Sequence, residues 1–104
     1  MLKKSPERDD LYTIILQLQT LGEAERFFRD LLTEAEIKEF ATRWKAAQLL
    51  DGGLSYPQIQ AETGLSTTTV ARISKWLKQG TGGYRLALNR THHHTTPPLR
   101  KGLS

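Results

Sequence analysis

The 104-residue sequence contains no cysteine, which excludes disulfide bonds and zinc sites built on thiolates. No stretch approaches the roughly 20 apolar residues of a membrane-spanning helix. The opening residues, MLKKSPERDD, are not followed by an apolar run, so no signal peptide is expected and the protein is predicted to be cytoplasmic. Val70 is the only valine, and no long alternating pattern is present, so no β-strand is expected.

Groups of catalytic or metal-binding residues are also missing. The three histidines are adjacent at positions 92–94, with no carboxylate beside them and no fixed geometry, so no metal site is expected. Because every histidine lies there, no Ser/His/Asp arrangement is credible. Paired acids such as Asp9 and Asp10 occupy the first turn of a helix, where they favour the helix dipole. The sequence therefore predicts neither an enzyme nor a cofactor.

Acidic residues are scarce in the second half of the chain. The net charge is +4, but residues 1–54 carry eight Lys/Arg and ten Asp/Glu, whereas residues 55–104 carry seven Lys/Arg and one acid, Glu62. This asymmetry indicates that the second half contacts a polyanion. The alternative is a solvated surface followed by a basic tail.

Helix signals separated by glycines make up most of the chain. Apolar residues with a 3.6-residue period predict a first helix that begins behind Ser5 and ends at Gly22. Two further helices are predicted over residues 23–32 and 34–51. The C-terminal segment from residue 89 to residue 104 has low hydrophobicity and a proline pair, which predicts a disordered basic tail after a domain of residues 1–88.

Three helix starts share one design, a hydroxyl cap between two apolar residues. Thr33 with Glu36 and Ser55 with Gln58 form the pattern of a capping box, and Ser66 keeps the cap without an acid or amide three residues later. These caps fix where the third helix and the next two helices begin.

Two short helices, predicted over about residues 56–63 and 67–78, are joined by Thr63-Gly64-Leu65-Ser66. A glycine in a short turn between two capped helices is typical of a helix-turn-helix. We expect Gly64 to take the left-handed conformation that ends the first of them. The small core of the motif is expected to contain Ile59, Leu65, Val70, Ile73 and Leu77.

In a helix-turn-helix, the first residues of the second helix meet base edges in the major groove of DNA. Threonine hydroxyls can bond bases or phosphates, threonine methyls can contact thymine methyls, and arginine and lysine neutralise phosphates or read guanine. An ordinary helical hairpin with threonine-rich capping is the alternative. The predicted DNA-binding residues are Gln60, Ser66, Thr67, Thr68, Thr69, Arg72, Lys75 and Lys78.

Four stretches, LTEAE, TRWKAAQLL, DGGLS and ETGLSTTTVARISKWLK, resemble the Trp repressor family. The chain is most similar to the YerC/YecD group of Trp-repressor-related proteins, over residues 10–88. The resemblance implies an all-α fold of about six short helices in an intertwined homodimer, with two reading helices that face successive major grooves. Many helix-turn-helix proteins have an alanine four residues before the turn glycine. Like members of the Trp repressor family, this chain lacks that alanine and has Gln60 at the position.

The resemblance also implies a possible effector site. The two arginines that hold tryptophan in the Trp repressor fall by position on Lys45 and Arg72, and the glycine beside its ring falls on Ile73. Isoleucine would fill the space for an indole ring, and lysine gives a point charge instead of a flat guanidinium. We expect another small molecule, or none, in place of tryptophan.

Residues 10–32 are apolar around most of the helix circumference and include Phe27 and Phe28. A chain this small could hardly bury them alone, which favours a partner subunit over a tight monomer. The leading hypothesis is a sequence-specific, dimeric DNA-binding transcriptional regulator that acts as a repressor. The alternative function is a protein-interaction module that docks a partner on its apolar N-terminal helices.

Overall fold

The structure, a computed structural model, describes residues 5–94, and these residues form six α-helices and no β-strand. The helices are α1 (Pro6–Gln17), α2 (Leu21–Leu31), α3 (Glu34–Asp51), α4 (Tyr56–Thr63), α5 (Thr67–Gln79) and α6 (Gly83–His94). The predicted all-α class with about six helices is confirmed. The chain divides into two compact units, Met1–Lys38 and Glu39–Ser104.

The prediction for the end of the first helix was wrong. α1 begins behind Ser5 as expected, and the Ser5 hydroxyl accepts a hydrogen bond from the Arg8 N–H at 3.1 Å. The helix ends at Gln17, however, and does not continue to Gly22. Leu18 is extended, so the apolar period is interrupted there.

A cap at Thr20 explains this break. The Thr20 hydroxyl accepts a hydrogen bond from the Glu23 N–H at 3.0 Å, and the Glu23 carboxylate accepts one from the Gln19 N–H at 2.9 Å. Both bonds satisfy N–H groups at or just before the start of α2, where a helix has unpaired donors. The local cap therefore outweighs the continuous apolar pattern, and α2 begins at Leu21.

The apolar residues of α1 and α2 remain largely uncovered. Neither helix contains a buried residue within the described part of the chain. Phe27 and Phe28 are half-buried and contact each other edge to face, with ring centroids 5.4 Å apart. Leu16 and Leu21 are 81% and 87% exposed.

The three predicted caps are all present. The Thr33 hydroxyl accepts from the Glu36 N–H at 3.1 Å, and the Glu36 carboxylate accepts from the Thr33 N–H at 2.9 Å. Ser55 and Gln58 make the same reciprocal pair. As a result α3 and α4 have the predicted bounds, and α5 begins as predicted and ends one residue later than expected.

The core of the second unit lies where α3, α4 and α5 meet. Its buried residues are Ala46, Ala47, Ile59, Val70 and Ile73. Leu65 packs against this cluster as predicted, together with Trp44 from α3 and Tyr84 from α6, whereas Leu77 is half-buried. The two alanines of α3 belong to this core as well, and their small side chains leave room for the larger residues of α4 and α5.

α6 extends past the predicted domain boundary. It runs to His94, so residues 89–94 are helical, contrary to the prediction of a disordered tail from residue 89. The Arg85 guanidinium lies 2.9 Å from the Asp51 carboxylate and joins the start of α6 to the end of α3. The remainder of the predicted tail, 95–104, lies outside the described residues.

Gly64 ends α4 in the left-handed conformation, with φ +77°, and its N–H donates to the Gln60 carbonyl at 2.8 Å. A Cβ at this position would meet no atom within 4 Å, so any penalty comes from the backbone alone.

We expect Gly64→Ala to lower the free energy of unfolding by about 1 kcal/mol, because an L side chain disfavours this conformation. Gly64→Asn should lower the free energy of unfolding by a smaller amount, since asparagine tolerates positive φ. Urea unfolding measures both values. If Gly64→Ala were as stable as the native chain, the left-handed conformation of Gly64 would be contradicted.

Candidate nucleic-acid interface

The turn between α4 and α5 fixes which face of α5 points outward. Val70 and Ile73 are buried, and Ile59 of α4 packs in the same cluster. Ser74 is also buried on this side of α5. At 100° per residue, these positions mark an inner face, and the opposite face passes through Thr68, Arg72, Lys75 and Gln79, all of them exposed.

The start of α5 is fixed by a small hydroxyl network. The Ser66 hydroxyl accepts a hydrogen bond from the Thr69 N–H at 3.1 Å and donates one to the Thr69 hydroxyl at 3.0 Å. In a capping box the side chain at this position accepts from the backbone N–H of the cap residue, whereas here the Thr69 hydroxyl accepts from the Ser66 hydroxyl. Ser66 and Thr69, both among the predicted DNA-binding residues, therefore use their hydroxyls within the helix cap.

Thr67 and Thr68 differ from their neighbours in this respect. Both are exposed, and within residues 5–94 neither hydroxyl has a hydrogen-bond partner in the chain. Their hydroxyl and methyl groups are thus accessible to a ligand at the tip of α5. The sequence could not separate these two threonines from Thr69, because a cap pattern does not show where each hydroxyl proton goes.

Three cations accompany the threonines. Arg72, Lys75 and Lys78 are exposed, α5 contains no acid, and none of the three forms an ion pair in the described part of the chain. By contrast, Arg29 is paired with Glu34 at 3.4 Å and Arg85 with Asp51 at 2.9 Å. Cations without a carboxylate nearby are available to an external anion.

The remaining predicted site residues lie on α3 and α4. Gln60 is half-buried near the end of α4. The Lys45 ammonium lies 4.0 Å from the Glu62 carboxylate, and both side chains are more than half exposed. Ile73 is 3% exposed and packs in the core cluster, so its side chain points into the protein and not toward solvent.

Two residues of the outward face were not predicted as site residues. Ala71 is exposed beside Arg72, and Gln79 is exposed one turn after Lys75. The helical period counted from Val70 and Ile73 would have found both. Neither side chain carries a charge or a hydroxyl group, the two features on which the predicted contacts were based.

Metal-ligand groups and membrane-spanning helices are two other features that bear on function in the described part of the chain. Among the side chains that the structure describes, no three or more His, Asp or Glu are grouped so that they could hold a metal ion. None of its helices combines the length and the apolar character needed to cross a membrane.

Comparison with known proteins adds to this geometry. Residues 7–92 match the model of the Trp repressor protein family. The uncharacterized protein YerC of Bacillus subtilis (strain 168) is 40% identical over 98 residues, which cover 94% of each chain. The predicted resemblance is confirmed by both findings.

Two crystal structures show a similar fold. A TrpR-like protein from Eubacterium eligens ATCC 27750 is 34% identical, with a TM-score of 0.82 over 86% of this chain and 92% of that one. A candidate Trp repressor from Staphylococcus aureus is 32% identical, with a TM-score of 0.81 over 86% of this chain and 89% of the other.

We expect Ser66→Ala to lower the free energy of unfolding by about 1 kcal/mol, because the Thr69 N–H loses its acceptor. Ser66→Gly should cost only a few tenths of a kcal/mol, since glycine is a tolerated N-cap. Thermal or urea unfolding of the two variants checks the difference. Equal losses in both would argue against a cap at Ser66.

Proposed function

Since this chain belongs to the Trp repressor family, we propose that it is a sequence-specific DNA-binding transcriptional regulator that acts as a repressor. The family consists of regulators rather than enzymes, and we propose no catalytic activity for this member. The observation that carries the proposal is the outward face of α5, where exposed threonines stand next to unpaired cations. A cytoplasmic location, where DNA is accessible, follows from this function.

The roles of the proposed DNA contacts differ along α5. Thr67 and Thr68 lie at the tip, where a helix-turn-helix approaches base edges. Arg72, Lys75 and Lys78 lie farther along, where cations contact phosphates and fix the register of the helix on the duplex. Ser66 and Thr69 act mainly by holding the tip in place, and Gln60 supports the turn from α4.

A homodimer is the proposed active form. α1 and α2 bury no residue in the single chain, and Leu16 and Leu21 are almost fully exposed. Exposed apolar surface of this kind marks an interface between subunits. Two-fold symmetry would pair the α5 helices, so that each meets one half of a palindromic site.

Any small-molecule effector of this regulator is proposed to contact Lys45 and Arg72. Tryptophan does not suit this place, because Ile73 fills the space beside Arg72 and the Lys45 ammonium already has the Glu62 carboxylate within 4.0 Å.

A protein-interaction module is the second candidate function, favoured by the same uncovered helices. In that case the apolar surface of α1 and α2 would dock another protein, and α5 would be structural. Loss of function on substitution of Phe27 or Phe28, with no loss when Arg72 and Lys75 are neutralised, would support this alternative.

Arg72→Ala or Lys75→Ala is expected to weaken DNA binding by about 1–3 kcal/mol if the side chain reads a base. If the side chain contacts a phosphate, binding should instead depend less on salt: the negative slope of log K against log salt concentration should decrease in magnitude by about one. Fluorescence anisotropy with genomic fragments at several salt concentrations measures both quantities.

Arg29→Ala provides the control, because it removes a cation from α2, outside α5. It should leave the salt slope unchanged. If the native protein retains no DNA at low salt, the proposed function is rejected.

Light scattering after size-exclusion chromatography should give twice the 11.8 kDa mass of one chain. Leu21→Glu should shift the protein toward the monomer, because a charge replaces an apolar contact in the interface. Gln48→Glu, which adds a charge at an exposed position of α3, is the control. A native chain that remains monomeric would refute the dimer.

A further inference from the structure

Small side chains line the outer surface of α5 near its start. Thr67, Thr68 and Ala71 are all exposed. Positions 67 and 71 are four residues apart and positions 68 and 71 are three apart, so the three side chains are neighbours on one helix surface. They bring three methyl groups together, the Cγ2 atoms of the two threonines and the Cβ of alanine.

This methyl cluster is bordered by longer, charged side chains. Arg72 follows Ala71 directly, and Lys75 lies one turn after it on the outward face. Because short side chains stand at the tip and long ones behind it, the backbone of α5 can approach a surface most closely at Thr68. The cations can reach phosphates on either side while the cluster contacts the bases.

The chemistry of the cluster selects one base. A threonine hydroxyl can donate to or accept from several bases, so by itself it discriminates weakly. A methyl group contributes only where it meets apolar surface, and among the four DNA bases only thymine presents a methyl group in the major groove. The neighbouring Ser66 and Thr69 hydroxyls bond each other within the cap, whereas the methyl groups of Thr68 and Ala71 are accessible beside the Thr68 hydroxyl.

We infer, on the basis of the proposed DNA binding, that Thr68 and Ala71 recognise thymine by contact with its C5-methyl group. Half-sites for this protein therefore carry A·T pairs under the start of α5. Each contact removes about one methyl-sized group from water, which corresponds to about a fourfold gain in affinity.

The test is a double-mutant cycle between protein and DNA methyl groups. Duplexes retained by the full chain are first selected from a random library, and each thymine of the selected half-site is then replaced singly by deoxyuridine, which lacks only the methyl group. Anisotropy should show about fourfold weaker binding at the contacted thymines. Thr68→Ser loses the methyl group and keeps the hydroxyl. In this variant, deoxyuridine should no longer weaken binding at one of the contacted thymines.

Thr68→Val is the matched variant, because it keeps a methyl at that place and removes the hydroxyl. It should retain the fourfold sensitivity to deoxyuridine. Ala71→Gly should abolish the sensitivity at a second thymine. Because the thymine and deoxyuridine duplexes are compared within one variant, a change in the fraction of folded protein cancels.

Thr81→Ser, an exposed threonine between α5 and α6, is the control and should leave every ratio as in the native protein. The inference is overturned if selected half-sites contain no thymine, if deoxyuridine has no effect at any position, or if its effect is the same in Thr68→Ser as in the native chain. If no duplex is selected at all, it is the proposed DNA binding that fails.

Discussion

The packing of Val70 and Ile73 of α5 against Ile59 of α4 and the two alanines of α3 determines the geometry of the whole interface. Burial of each valine or isoleucine side chain in this group contributes about 1.5–3 kcal/mol, more than any single exposed ion pair in this unit. Because these residues fix the inner face of α5, they also fix the direction of its outer face. The proposed DNA contacts therefore depend on a core that touches no DNA.

Hydroxyl groups at the start of α5 divide into two kinds that look alike in the sequence. Ser66 and Thr69 bond each other and the backbone, which makes the helix begin at one defined residue. Thr67 and Thr68 have no partner within the described chain and extend from that fixed start. A rigid cap thus holds the side chains of the proposed contacts, so that little conformational freedom would be lost on binding.

The second half of the fold could be predicted well because its signals are local. Reciprocal caps at Thr33 and Ser55 set the helix starts, and the apolar period of α5 identified Val70 and Ile73 as buried. The break between α1 and α2 was predicted at Gly22, too late in the chain, because a continuous apolar period obscured the cap at Thr20. The hydrogen bond between Ser66 and Thr69 could not be predicted, since it depends on side-chain rotamers within the turn.

The absence of buried residues in α1 and α2 has a consequence for how this protein acquires its native state. In the proposed dimer, the apolar surface of these helices leaves water only when two chains meet, so folding and association become one concentration-dependent equilibrium. The concentration of folded dimer then rises more steeply than the total concentration of chains. A newly made, isolated chain would remain exposed to proteolysis until a second copy is available.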